Sequence, residues 1–136
     1  MEIIKELIKI FEDWTKLKIR IHVSEANKNV YFKEGQVWLA HVGQNIGVEA
    51  NGKNENFERP IIIIKKFNGF SFLGVTMSSK SREGKYYIEL KDNSRTSSFA
   101  NLSQLKLMSA KRLIRNVRDL PEKDFELIRN KIKEYI

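Results

Sequence analysis

The chain has 136 residues, 41% of them apolar, and carries 25 Lys and Arg against 17 Asp and Glu, for a formal net charge of +8 and a pI near 9.7. That length lets a single domain bury a core without covalent staples. The absence of cysteine excludes disulfides and thiolate metal sites, and the two histidines, His22 and His41, are too few and too far apart for a zinc site without carboxylate help.

An excess of positive charge on this scale favours a polyanionic partner through counterion release, nucleic acid first among them, although a merely basic surface has the same composition. The longest apolar run, Pro60 to Ile64, is too short to cross a bilayer. Near the N-terminus Lys5, Glu6, Lys9, Glu12 and Asp13 interrupt an isoleucine-rich stretch, so it does not read as a secretory signal. The expected address is the cytoplasm, with no membrane contact.

Ile3, Ile4, Leu7, Ile8, Phe11, Trp14 and Leu17 recur at helical spacing and predict an amphipathic helix that packs on the rest of the chain or joins an interface. Ser24 to Asn29 is polar and Asn-rich and reads as a linker. The expected division is an N-terminal helix and linker, 1–31, and a main unit, 32–136. In that unit Gln36 to Ala40 alternates as a strand does, and Pro60 to Ile64 is a continuous run suited to a strand buried on both faces. Asn68-Gly69 signals a hairpin returning through Phe70 to Met77. Glu83-Gly84 introduces Lys85 to Leu90, and Asp92-Asn93 turns the chain into Thr96 to Leu102. Short strands with tight turns predict a small antiparallel barrel, so the class is mainly β with flanking helices.

Between the first two strands, Gly43 to Glu58 holds three glycines and four asparagines but no proline. Loops longer than about 12 residues tend to be functional or disordered; this one reads as a mobile flap beside a site, with plain disorder as the alternative. At the other end Pro121 suits a helix start, Glu122 and Asp124 complement the positive end of its dipole, and Phe125, Ile128, Ile132 and Tyr135 form one apolar stripe.

Several short motifs fall in order along the main unit. Glu34-Gly35-Gln36-Val37-Trp38 is followed by Ile46-Gly47-Val48-Glu49, Gly52 and Arg59-Pro60-Ile61-Ile62-Ile63; Val75-Thr76 and the block Ser103-Gln104-Leu105-Lys106 through Lys111-Arg112-Leu113 come later. Each is weak alone. Together, from about Phe32 to the end, they resemble the MazF/PemK toxins, to whose pattern the N-terminal helix is an extension. The resemblance implies an SH3-like barrel that pairs as a homodimer and cleaves single-stranded RNA at a short preferred sequence, without metal or cofactor. It also implies an antitoxin protein that blocks the groove.

Metal-free RNA cleavage sends the ribose 2′-hydroxyl against the adjacent phosphorus and needs a proton acceptor, a proton donor and cationic donors around the phosphorane. The family's catalytic arginine and threonine match Arg59 and Thr76. A guanidinium can hold two phosphate oxygens and is a poor base, so Arg59 suits charge stabilisation; Thr76 can donate its hydroxyl to a phosphate oxygen. The bland alternatives are an Arg59 ion pair with Glu58 or Glu49, and Thr76 as a good strand former. Many relatives carry an acid at the position of Ser103. That role is then empty here, or it has moved to Glu49, and the acceptor stays open; His41 is kept as structural. Asn45, Lys53, Phe57, Ser78, Ser79, Lys80 and Arg82 are expected to border the site, the cations along phosphates and Phe57 stacked on a base, with Ser103 and Gln104 also against substrate. Lys111, Arg112, Arg115 and Arg118 form a second basic cluster. A competing reading is a non-catalytic SH3-like barrel that binds RNA or a protein target such as a topoisomerase. A weaker one makes the N-terminal helix an element lying on a membrane or a partner.

Overall fold

A computed structural model describes residues 2–25, 30–81, 83–91 and 97–136. In chain order these form α1 (Glu2–Val23), β1 (Gln36–His41), β2 (Glu58–Lys66), β3 (Ser71–Ser78), β4 (Tyr87–Lys91) and β5 (Ser97–Asn101). A 3-10 turn, Leu102–Gln104, leads to β6 (Lys106–Ser109), and a second, Ala110–Arg112, leads to β7 (Leu113–Asp119) and α2 (Glu122–Tyr135). The Asp92-Asn93 turn, Thr96 and residues 26–29 of the expected linker lie outside the described residues.

The strands run antiparallel in the order β4-β5-β3-β2-β1-β7, with β6 also beside β3. β3 serves two neighbours: Ser71 to Gly74 pair with β6, whereas Met77 and Ser78 pair with β5. Among the described residues no pairing joins β7 to β4 or β6, so the expected small barrel is an open sheet. Register shifts between Val37 and Trp38, between Leu39 and Ala40, and between Ile63 and Lys65 interrupt the ladders. Such bulges bend a strand and raise its twist, which curls the sheet without closing it.

The β-branched run in β2 divides two cores. Ile62 and Ile64 join Val37, Val75, Met77, Leu90 and Leu120 on one side. Ile61 and Ile63 join Phe32, Trp38, Val42, Phe72 and Met108 on the other. A strand wedged between two apolar layers cannot alternate with polar residues, which is why the run is unbroken. α2 closes the first core with Ile128 and Ile132, while Phe125 and Tyr135 pack at its margin.

α1 departs from expectation. It runs on to Val23, and of its apolar stripe only Trp14 is buried; Ile3, Ile4, Leu7, Ile8 and Phe11 stay exposed. The helix meets the rest of the fold through Trp14, near its middle, against Phe57 and through His22, near its C-terminal end, against Lys111, while its first turns stay exposed. Lys111 Nζ donates to the His22 carbonyl at 2.5 Å, satisfying an otherwise open acceptor in the last turn.

Candidate active site

Arg59 and Thr76 lie on adjacent strands. Thr76 pairs with Ile61 across the β2–β3 ladder, and Arg59 sits two residues from Ile61 on the same face. The two are therefore diagonal cross-strand neighbours, within reach of a long side chain. Arg59 stands beside the cleft and not in its lining; among its bonds, Nε donates to the Asn51 carbonyl at 2.6 Å and Nη1 to the Met77 carbonyl at 3.4 Å. Thr76 is 5% exposed and forms part of the floor of a cleft of about 320 Å³, with Asn45, Glu49, Ser103, Gln104 and Lys106 around it. Its side chain hydrogen-bonds to no described residue, yet its hydroxyl is not among the sealed, unsatisfied atoms. The hydroxyl opens into the cleft.

The loop between β1 and β2 forms one wall, and it is tied down at many points. Val42 and Gly43 N–H groups both donate to the Phe57 carbonyl, at 2.8 and 3.1 Å, and Gly52 N–H donates to the Gly43 carbonyl at 2.7 Å. Among the described residues Asn45 is bonded within the loop. Its amide donates to the Ala50 carbonyl at 2.7 Å, and its backbone N–H donates to Asn51 Oδ1 at 2.5 Å. Gln104 reaches across from the 3-10 turn, donating to the Val48 carbonyl at 2.9 Å and accepting from Ala50 N–H at 3.0 Å. Asn45 and Gln104 thus shape the wall of the cleft with the groups that were expected to meet substrate.

Gly52 makes this loop possible. A Cβ there would fall 1.9 Å from the Phe57 carbonyl oxygen and 2.6 Å from Glu58 N, both backbone atoms that cannot swing aside. Gly52→Ala should lower stability by about 1–3 kcal/mol in urea unfolding. Gly69→Ala, with nothing within 4 Å of its Cβ, should stay within about 0.5 kcal/mol. Equal midpoints for the two variants would mean the loop does not hold this conformation.

Other expected residues fall elsewhere. Phe57 is 8% exposed and its ring stands 5.5 Å from that of Trp14, so it packs in the fold and does not offer a face to a base. Lys53 is exposed, pairs through its backbone with Glu58, and does not line the cleft. Ser78 ends β3 and its hydroxyl accepts from Lys80 N–H at 3.1 Å; Ser79 and Lys80 are exposed beyond it, off the cleft walls. Arg82 lies outside the described residues. Ser103 does line the cleft, but its hydroxyl donates to Asn101 Oδ1 at 2.7 Å, so no base stands at that position. Glu49 is exposed at the rim, with Oε1 accepting from Ile46 N–H at 3.3 Å.

The cation in the cleft that sequence reasoning passed over is Lys106. Burial of its ammonium pulls the pKa below the ordinary lysine value, as do the charges of Arg112 and Lys18, while Glu49 opposes the shift. Its signal was present as the last residue of the Ser103-Gln104-Leu105-Lys106 block. Arg112, placed in a separate basic cluster, donates through Nη1 to the His41 and Val42 carbonyls at 2.9 and 3.3 Å, and burial lowers its pKa. Among the described residues no group of His, Asp and Glu is arranged to hold a metal ion, and no helix is long and apolar enough to cross a membrane.

Comparison with known proteins gives this arrangement a family. A chain of the structure described as "Endoribonuclease in complex with its cognate antitoxin from Mycobacterial species" superposes with a TM-score of 0.57 at 10% identity, covering 76% of this chain and 93% of that one. The structure described as "Crystal structure of Mtb toxin" gives a TM-score of 0.50 at 11% identity, covering 57% of this chain and 92% of that one. At such identities the likeness speaks for the fold. No curated protein matches the sequence. The family model for the PemK-like, MazF-like toxin of type II toxin–antitoxin systems matches residues 33–136, through both cleft walls and both strands that carry Arg59 and Thr76, and the chain belongs to that family.

Proposed function

We propose that the protein is a metal-independent, sequence-selective endoribonuclease that cuts single-stranded RNA in the cytoplasm as the toxin of its pair. The observation that carries this reading is Thr76, whose hydroxyl bonds to no described residue, in the floor of a cleft that Lys106 and Glu49 also line, on the strand beside Arg59. The scissile phosphate sits over Thr76, whose hydroxyl donates to a non-bridging oxygen. Arg59, oriented by two carbonyls, holds the charge that builds on the phosphorane. The Glu49 carboxylate takes the proton from the 2′-hydroxyl as its oxygen attacks phosphorus. The bond to the 5′-oxygen breaks, and that oxygen takes a proton from the Lys106 ammonium, which its surroundings make a better acid than an ordinary lysine. The products are a 2′,3′-cyclic phosphate and a 5′-hydroxyl.

Ser78, Ser79, Lys80 and Lys53 extend the contact with the strand away from this centre. Residues 32–136 are the cutting unit and 1–31 an added segment. The partners are a cognate antitoxin that occupies the cleft and a second copy of the chain. A varied single-stranded RNA pool incubated in EDTA should be cut at a recurring short sequence, leaving 5′-hydroxyl ends. A pool that remains intact ends the proposal.

The serine at position 103 favours one alternative, a barrel that binds RNA or a protein target such as a topoisomerase without cutting, because it supplies no carboxylate beside Thr76. Toxicity that survives Arg59→Ala/Thr76→Ala with unchanged cellular RNA would select it.

A further inference from the structure

α1 brings a cation to the edge of the cleft. Lys18 and Arg112 stand at a hollow of about 390 Å³ whose lining, with Trp14, Ile19 and Ile21, is largely apolar and which Lys111 also borders. That hollow and the cleft share a wall, because Arg112 Nη1 is bonded to the carbonyl of Val42, itself a cleft residue. Arg112 is fixed there by its two carbonyl bonds and lies over the Trp14 ring at 5.9 Å. Lys106 lines the cleft on the other side of that wall, and the charges of Arg112 and Lys18 add to burial in the lowering of its pKa. Neither Lys18 nor Lys106 has a hydrogen bond or ion pair with any described residue. Two positive charges, from α1 and the turn before β7, therefore face one hollow, and a third, from β6, lines the adjoining cleft. Like charges gathered in this way destabilise the empty protein and are offset when a polyanion binds.

We propose that Lys18 and Arg112 form a phosphate subsite for single-stranded RNA beside the cleft, with Lys106 as the link between them and the cutting centre. The inference rests on the proposed RNA substrate and adds to it a binding role for α1. An RNA strand leaving the cleft along this wall places its next phosphate against Lys18, so the helix lengthens the path over which the substrate is held. Arg112 supplies a fixed fork and Lys18 a mobile ammonium, a pairing suited to a backbone phosphate and not to a particular base.

The test is binding of a random-sequence, 2′-O-methylated single-stranded RNA pool, which cannot undergo the cleavage step, followed by anisotropy over a range of salt. Lys18→Gln should weaken binding about three- to fourfold near 0.15 M salt and reduce the slope of log affinity against log salt by about 0.7, the loss of one phosphate contact. Lys18→Arg should restore both, and Lys5→Gln, which removes an equal charge from the exposed start of α1, should change neither. If Lys18→Gln matches the wild type, or Lys5→Gln weakens binding as much, the subsite is overturned while the endoribonuclease reading stands. Wild-type protein that binds the pool in a Lys18-dependent way but leaves unmodified RNA intact would keep the subsite and end the cutting reading. A wild type that does not bind the pool ends the subsite, while the cutting reading is decided separately by unmodified RNA in EDTA.

Discussion

Arg59→Ala should lower the cleavage rate by about two to three orders of magnitude, the usual loss when one preorganised donor to a developing oxyanion is removed. The argument is in how the side chain is held. Nε is committed to the Asn51 carbonyl and Nη1 to the Met77 carbonyl, so the fork is aimed before substrate arrives and need not reorganise as charge builds. Lysine at this position keeps the charge but has no planar fork and cannot reach both carbonyls while facing phosphate. Arg59→Lys should therefore recover little of the rate. Single-turnover cleavage separates chemistry from binding: the loss should fall on the cleavage step, with affinity for 2′-O-methylated RNA changed only modestly. Arg59 also ties the loop to the sheet, so circular dichroism and unfolding midpoints belong beside the kinetics. Cleavage within threefold of wild type by a folded Arg59→Ala protein would remove the guanidinium from the mechanism.

Much of the fold was legible because its signals are local. The Ile61 to Ile64 run predicted a strand covered on both faces, and the two cores it separates explain its composition. The stripe of α2 was read correctly from its spacing. β6 and β7 were not seen, for physical reasons. β6 has four residues and buries only Met108, while β7 buries only Leu113 and ends the sheet with Arg115, Arg118 and Asp119 along it. Charged side chains on an edge strand discourage pairing with other chains and erase the apolar alternation that would announce a strand. Those arginines consequently read as a basic cluster, for RNA or simply solvated.

The site divides in a similar way. The pairing of Arg59 with Thr76 came from an ordered resemblance, since no local pattern connects two residues on different strands. Phe57 illustrates the opposite case. An exposed aromatic in a polar loop is a reasonable stacking platform, but its value here depends on Trp14, which arrives from a helix 43 residues earlier in the chain. Nothing in the loop's own sequence reports that contact. Asn45 and Gln104 were expected against substrate; their bonding capacity is directed to the loop backbone.

Trp14→Ala should destabilise the protein by about 3–5 kcal/mol, in the range for deleting a buried aromatic, and should also slow RNA cleavage. Trp14 is 6% exposed and fills the space over Gly43, where a Cβ would stand 2.4 Å from its ring. Gly43, at φ +94, accepts from Gly52 N–H, and the neighbouring Asn51 carbonyl is the one that holds Arg59. A continuous set of contacts therefore runs from α1 through the base of the loop to the guanidinium. Trp14→Phe should recover a substantial part of both losses, because it refills most of the cavity. Hydrogen exchange at the Gly43 and Gly52 amides should accelerate in Trp14→Ala and return toward wild type in Trp14→Phe. Those amides report the loop directly, and unchanged protection there would disconnect α1 from the candidate site even if the global midpoint fell. Loss of protection that tracks the cleavage rate across the two variants would make the N-terminal helix a brace for the loop beside the candidate site.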